Sequence, residues 1–163
     1  TYHSLTTLAD LKNRLQFVHL TGKHEETTRM NDRYKEAGFR AAVMDYAFDI
    51  SDCYAAADFT VCRSGASTIA ELMLVKLPAV LVPFPHAVND HQKKNAMLVQ
   101  GLGAGVVLDE SGHSAADLAR ILRQWTENPA ELDKMRNAYK SSNLDPSNSA
   151  HRLLTVVEDC VHV

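Results

Sequence analysis

Leu77-Pro78-Ala79-Val80-Leu81-Val82-Pro83 is the run that decides the fold. A strand with one wet face alternates apolar and polar residues, whereas an unbroken apolar run suits a strand covered on both sides, as in parallel sheets. The prolines stand at its edges, where a central strand tolerates a missing N–H. Outward from it, short apolar runs at residues 17–20, 41–44, 59–62 and 105–108 join the strand expected at 79–82. Segments of helical period lie between and beyond these runs, at 5–14, 25–37 with Gly38 closing the helix, 50–56, 67–75, 89–101, 114–126, 129–139 and 147–160. Strands alternating with helices make βαβ units, so the expected class is α/β: a Rossmann-like parallel sheet with helices on both faces. Past residue 108 the pattern is purely helical, with Ser114 and Asp117 spaced as a capping-box variant and Pro129 in a first helical turn. That tail reads as packing scaffold.

A chain of 163 residues suits one domain spanning 1–163. Its 17 Lys plus Arg against 20 Asp plus Glu give a net charge of -3, which offers no cationic field for DNA or RNA, so no nucleic-acid partner is expected. Cys53, Cys62 and Cys160 are odd in number and lack CxxC spacing, which speaks against a disulfide framework or a zinc site and for reduced thiols in a cytoplasmic protein. No apolar run approaches the roughly 18 residues of a membrane span, and Thr1-Tyr2-His3-Ser4 has no signal-peptide character. The chain does not start with Met and enters a helical pattern almost at once, the expectation being a piece of something longer.

Ligands of doubly wound sheets bind at the carboxyl ends of the strands. The richest such place is Cys62-Arg63-Ser64-Gly65-Ala66-Ser67-Thr68-Ile69-Ala70-Glu71, a strand end, small residues, then a helix start. Small side chains let a ligand approach the backbone, and the unpaired N–H groups of a first helical turn favour a phosphate. Glu71, about one turn further, carries two acceptor oxygens that match the vicinal hydroxyls of a ribose. The plain alternative is a turn with an N-cap and a solvated helical glutamate. A nucleophile elbow needs Gly two residues either side of the serine, where Cys62 and Ala66 stand, so Ser64 is a poor nucleophile.

Pro83-Phe84-Pro85-His86-Ala87-Val88-Asn89-Asp90-His91-Gln92-Lys93-Lys94-Asn95 follows the central strand, with amides and an imidazole where a helix would begin near Asn89. Such groups suit sugar hydroxyls, or else form an ordinary polar helix start capped by Asn89. His86 and His91 are spaced five apart and miss the i, i+4 pairing of a helical metal site, so no metal and no cofactor are expected. Tyr46-Ala47-Phe48-Asp49-Ile50 is an apolar loop after the second strand, fit for a flat base or for the core.

In order along the chain, Ala57-Asp58, Cys62-Arg63-Ser64-Gly65-Ala66, Thr68, Glu71, Leu77-Pro78, Val82-Pro83-Phe84, Asp90-x-Gln92 and Asn95-Ala96 resemble the C-terminal domain of GT-B glycosyltransferases, and among them the MurG family. The similarity runs from about Phe17 to the C-terminus. It implies a domain that binds UDP-N-acetylglucosamine for inverting transfer of N-acetylglucosamine to undecaprenyl-pyrophosphoryl-muramyl-pentapeptide in peptidoglycan synthesis. By the resemblance, the backbone of Ala47 and Phe48 meets the uracil, Glu71 binds the ribose, and Ser64, Gly65, Ala66 and Thr68 lie against the diphosphate. Arg63 either offsets leaving-group charge or pairs with a nearby acid. His91, Gln92 and Asn95 face the sugar; the family often has two glutamines there, so His91 is a departure, as is an extra residue between Pro83 and Asp90.

The resemblance also implies what this chain leaves to others. The family's C-terminal domain opens with a strand and a glycine-rich loop, and nothing of that kind precedes Leu5. The catalytic base, the lipid-linked acceptor and peripheral contact with the inner face of the bacterial membrane belong to an N-terminal domain, so this portion by itself is expected to be catalytically silent. Two other readings stay open: a GT-B transferase for another UDP-sugar or glycolipid acceptor, and a non-catalytic nucleotide-sugar-binding subunit of a split transferase.

Overall fold

The computed structural model describes residues 5–87 and 90–142. A 3-10 helix, Thr6–Leu11, leads into β1 (Gln16–Leu20), α1 (His24–Glu36), β2 (Arg40–Met44), α2 (Ile50–Ala56), β3 (Thr60–Cys62), α3 (Ala66–Val75), β4 (Ala79–Leu81), α4 (His91–Gly101), β5 (Gly105–Val107), α5 (Ala115–Glu127) and α6 (Pro129–Ser141). The helix expected over 147–160, and Cys160 with it, lies outside the described residues. All strand pairings are parallel, as the βαβ alternation requires, and the ladders fall into two groups, β1–β2 and β3–β4–β5.

The chain divides into two compact units. One takes the residues up to Ala57 together with Leu108–Leu132. Within it Phe17 of β1 meets Tyr34 of α1 at 5.0 Å between ring centroids and Phe39 at 5.4 Å. Those contacts follow from the end of α1, where Gly38 adopts φ 76° and the Phe39 amide donates back to the Tyr34 carbonyl at 2.9 Å, folding Phe39 onto the helix it has just left. The opposite face of β1 carries Val18 and Leu20, which stay exposed among the described residues. In place of the α-helix expected over 5–14 stands the shorter 3-10 turn, with Leu8 and Leu11 buried. Period-three bonding puts Leu8 and Leu11 on one side, in line with the buried Leu5 that precedes the turn. Arg123 of α5 holds that turn by a two-pronged bond to Asp10 at 2.6 and 2.7 Å and by a bond to the Thr7 carbonyl. The capping box at Ser114 and Asp117 forms as spaced.

The other unit takes Asp58–Val107 and the chain from Asp133 onward. β4 is its central strand, and Ala79, Val80 and Leu81 are each 0% exposed. Successive strand residues point to opposite faces, so this strand is covered on both sides, as the apolar run between the prolines predicts. β5 pairs with β4 through Ala79 and Gly105, and α4 packs on β5. All three strands are parallel, so their carboxyl ends, and the loops to α3 and α4, share one edge of the sheet.

Candidate functional site

At that edge β3 ends at Cys62 and α3 begins at Ala66, with Gly65 as N-cap in an extended conformation and no side chain capping the first turn. Ala66 and Ser67 are exposed, and Gly65 and Thr68 half-buried, so the helix start is open to solvent. Ser64 behaves differently. It is 0% exposed, its hydroxyl donates to the Gln92 carbonyl at 2.8 Å, and its own carbonyl accepts from Asn95 Nδ2 at 3.0 Å. The serine side chain thus ties the β3–α3 loop to α4, and a hydroxyl spent on a carbonyl is no activated nucleophile.

Glu71 stands half-buried in the second turn of α3. Burial pushes the neighbouring Cys62 thiol up to about 11, with Thr60 opposing and the Glu71 charge adding to the rise, so this cysteine is a neutral structural thiol. Arg63 is exposed, and its Nη1 donates to the carbonyls of Val82 and Pro83, both at 3.2 Å. Its guanidinium lies 5.6 Å from the centroid of the Phe84 ring.

Past β4 the chain turns through Phe84, which is 46% exposed and meets His86 edge-on at 5.8 Å. Its amide donates to Gln92 Oε1 at 3.0 Å. The cap expected at Asn89 lies outside the described residues; α4 begins at His91 after Asp90, which takes the left-handed φ of 53°. His91 is exposed, and Gln92 and Asn95 are half-buried. The structure therefore gathers Arg63, Ser64, Gly65, Ala66, Thr68, Gln92 and Asn95 around two adjoining loops, with Glu71 one turn along α3. Among the described residues no group of His, Cys, Asp and Glu is arranged to hold a metal ion.

Ala47 and Phe48 belong to the first unit, after β2. Phe48 is 100% exposed and Tyr46 69%, their rings edge to face at 5.7 Å, so the alternative that this loop feeds the core does not hold for either aromatic. Asp49 caps α2 through the Ser51 amide and fixes the exit of the loop. The residue that sequence reasoning left out of the site is Phe84. Its signal was an aromatic placed between two prolines immediately past the central strand, where nothing apolar is needed to finish the core.

The chain matches the family model described as glycosyltransferase family 28 C-terminal domain over residues 3–151. It is 40% identical over 157 residues to the UDP-N-acetylglucosamine–N-acetylmuramyl-(pentapeptide) pyrophosphoryl-undecaprenol N-acetylglucosamine transferase of Myxococcus xanthus, covering 96% of this chain and 40% of that protein. The protein of the same name from Azotobacter vinelandii is 39% identical over 157 residues, with 96% and 42% covered. The chain thus spans well under half the length of these relatives. Among solved structures it resembles Acinetobacter baumannii MurG, with a TM-score of 0.79 at 24% identity over 96% of this chain and 48% of that one. Spinosyn forosaminyltransferase SpnP follows at a TM-score of 0.52 and 16% identity, over 89% and 44%. At those identities the two structures show a shared fold.

Proposed function

Since the chain belongs to glycosyltransferase family 28, we propose that it is the donor-binding part of an enzyme that transfers N-acetylglucosamine from UDP-N-acetylglucosamine to a lipid-linked muramyl-pentapeptide. The observation that carries this reading is the start of α3, an uncapped and solvent-open first turn at the carboxyl edge of a parallel sheet. Its backbone N–H groups and the positive end of the helix dipole suit the diphosphate. The names of the relatives from Myxococcus xanthus and Azotobacter vinelandii supply the sugar and the acceptor.

In this proposal Gly65, Ala66 and Thr68 lie along the diphosphate, with Ser64 beneath them as their tether. Glu71 accepts from the ribose hydroxyls. His91, Gln92 and Asn95 serve the sugar, and the backbone of Ala47 and Phe48 the uracil. Transfer proceeds by attack of the acceptor hydroxyl on the sugar C1 with inversion; the C1–O bond to the diphosphate breaks and UDP leaves. Dipoles fixed before the reaction stabilise the charge growing on that leaving group without reorganising. The base that takes the acceptor proton, the acceptor site and the membrane contact come from outside these residues. A lipid-linked acceptor places the work at the inner face of the cell membrane; none of the described helices is long and apolar enough to cross it.

Calorimetry of the full-length protein with UDP-N-acetylglucosamine, UDP-glucose and UDP tests the reading. Binding is expected, tightest for UDP-N-acetylglucosamine, and Glu71→Ala is expected to weaken all three by roughly ten- to a hundred-fold, the worth of hydrogen bonds to a charged acceptor. Undiminished binding by that variant removes Glu71 from the ribose, and a wild-type protein that binds no uridine nucleotide sinks the proposal.

A further inference from the structure

Arg63 touches three successive residues of the loop that leaves β4: the carbonyls of Val82 and Pro83 at 3.2 Å each, and the face of Phe84 at 5.6 Å. The Phe84 amide in turn donates to Gln92 Oε1 at 3.0 Å, the Gln92 carbonyl takes the Ser64 hydroxyl at 2.8 Å, and Asn95 Nδ2 returns to the Ser64 carbonyl at 3.0 Å. The contacts close a ring from the β3–α3 loop to the β4–α4 loop, into the first turns of α4, and back to the residue beside Arg63.

We infer that Arg63 is a positioning residue, one that sets the β4–α4 loop and through it the direction in which Gln92 faces the donor's sugar; the inference rests on the donor-binding reading above. A guanidinium is flat, so its Nη1 reaches both carbonyls while the group lies over a ring, an arrangement that the tetrahedral ammonium of lysine does not reproduce. The amide of Phe84 can only donate, so the Gln92 atom that faces it is the oxygen, and the NH2 end is left for a ligand. Held this way, Gln92 offers hydrogen-bond donors and selects acceptor oxygens such as those of an acetamido sugar. A loosened loop lets the carboxamide turn over, which costs recognition of the sugar and leaves the diphosphate grip at the start of α3 in place.

The test uses the full-length protein with Arg63→Lys, which keeps the charge and loses the flat guanidinium, and Phe84→Leu, which keeps Arg63 and removes the ring. Both variants are expected to bind UDP-N-acetylglucosamine roughly three- to ten-fold more weakly, the worth of one neutral hydrogen bond from the Gln92 carboxamide to the sugar, while UDP itself stays within about two-fold of wild type. Hydrogen exchange at the Phe84 amide, measured without ligand, is expected to quicken in both. Equal losses for UDP and UDP-N-acetylglucosamine in Arg63→Lys, with Phe84→Leu like wild type, make Arg63 a phosphate ligand and overturn the inference. Unchanged exchange at Phe84 overturns it as well. Should Arg63→Lys fail to fold, Phe84→Leu carries the same comparison. A wild-type protein that binds neither nucleotide overturns the donor-binding reading instead, and the exchange rates still decide whether Arg63 orders the loop.

Discussion

The Ser64 hydroxyl, with no exposed surface, donates to the Gln92 carbonyl at 2.8 Å and so joins the β3–α3 loop, proposed to lie along the diphosphate, to the helix proposed to face the sugar. Ser64→Ala deletes the donor and leaves a carbonyl in a part-buried place without that partner. The expected loss is about 1–3 kcal/mol of stability, read as a lower denaturant midpoint at unchanged slope. An unaltered midpoint contradicts a tethering role for the serine.

Gly105 lies close against the central strand, opposite Ala79. A Cβ at that position falls 2.6 Å from the Ala79 carbonyl oxygen and 3.1 Å from Val99 Cγ1. The first clash is with backbone of the central strand, which has nowhere to move because Ala79 to Leu81 are sealed on both faces. Gly105→Ala is expected to destabilise by about 2–3 kcal/mol, at the upper end of overpacking costs. A thermal midpoint equal to wild type would show that β5 shifts freely.

Much of this architecture was legible because the signals are local. The proline-bounded run gave a doubly covered strand, Gly38 closed its helix where expected, with φ 76°, and Ser114 with Asp117 formed a cap at the spacing a cap demands. What stayed hidden was direction and partner. A serine in a small-residue loop reads as facing a ligand, and only the tertiary fold reveals that Ser64 points inward to Gln92. Arg63 in sequence is merely a charge beside a loop of small residues; its carbonyl partners are 19 and 20 residues away. The division of the ladders into β1–β2 and β3–β4–β5 is likewise a matter of which strands meet, and periodicity within a strand carries no such information.

α3 ends without the glycine that left-handed helix ends usually use. Lys76 takes φ 56°, and the Leu77 amide reaches back to the Leu72 carbonyl at 3.1 Å. An L-residue there pays a steric penalty that glycine avoids, offset in part by the greater freedom of glycine in the unfolded chain. Since Lys76 is exposed, Lys76→Gly is expected to stabilise by about 0.5–1 kcal/mol, seen as a raised melting temperature with donor binding unchanged. A fall in melting temperature would mean that the lysine stem covers more apolar surface than its exposure suggests.

His19 makes stability depend on acidity. Its ring packs edge-on against Tyr34, Nδ1 sits 3.0 Å from the Tyr34 hydroxyl, and burial lowers its pKa from the ordinary value of 6.5 while pushing the tyrosine up to about 12. A base whose pKa is depressed in the folded state binds fewer protons there than in the unfolded chain. Its contribution is therefore complete above about 6.5, where both states are neutral, and is lost as the pH falls from there through the lower folded value. Melting temperatures recorded between pH 8 and pH 5 are expected to decline more for wild type than for His19→Gln, which keeps a polar partner for Tyr34 and does not titrate. Parallel declines in the two proteins would place the acid sensitivity elsewhere, among the surface carboxylates such as Asp10 and Asp117 whose hydrogen bonds to Arg123 and Ser114 hold them below the usual range.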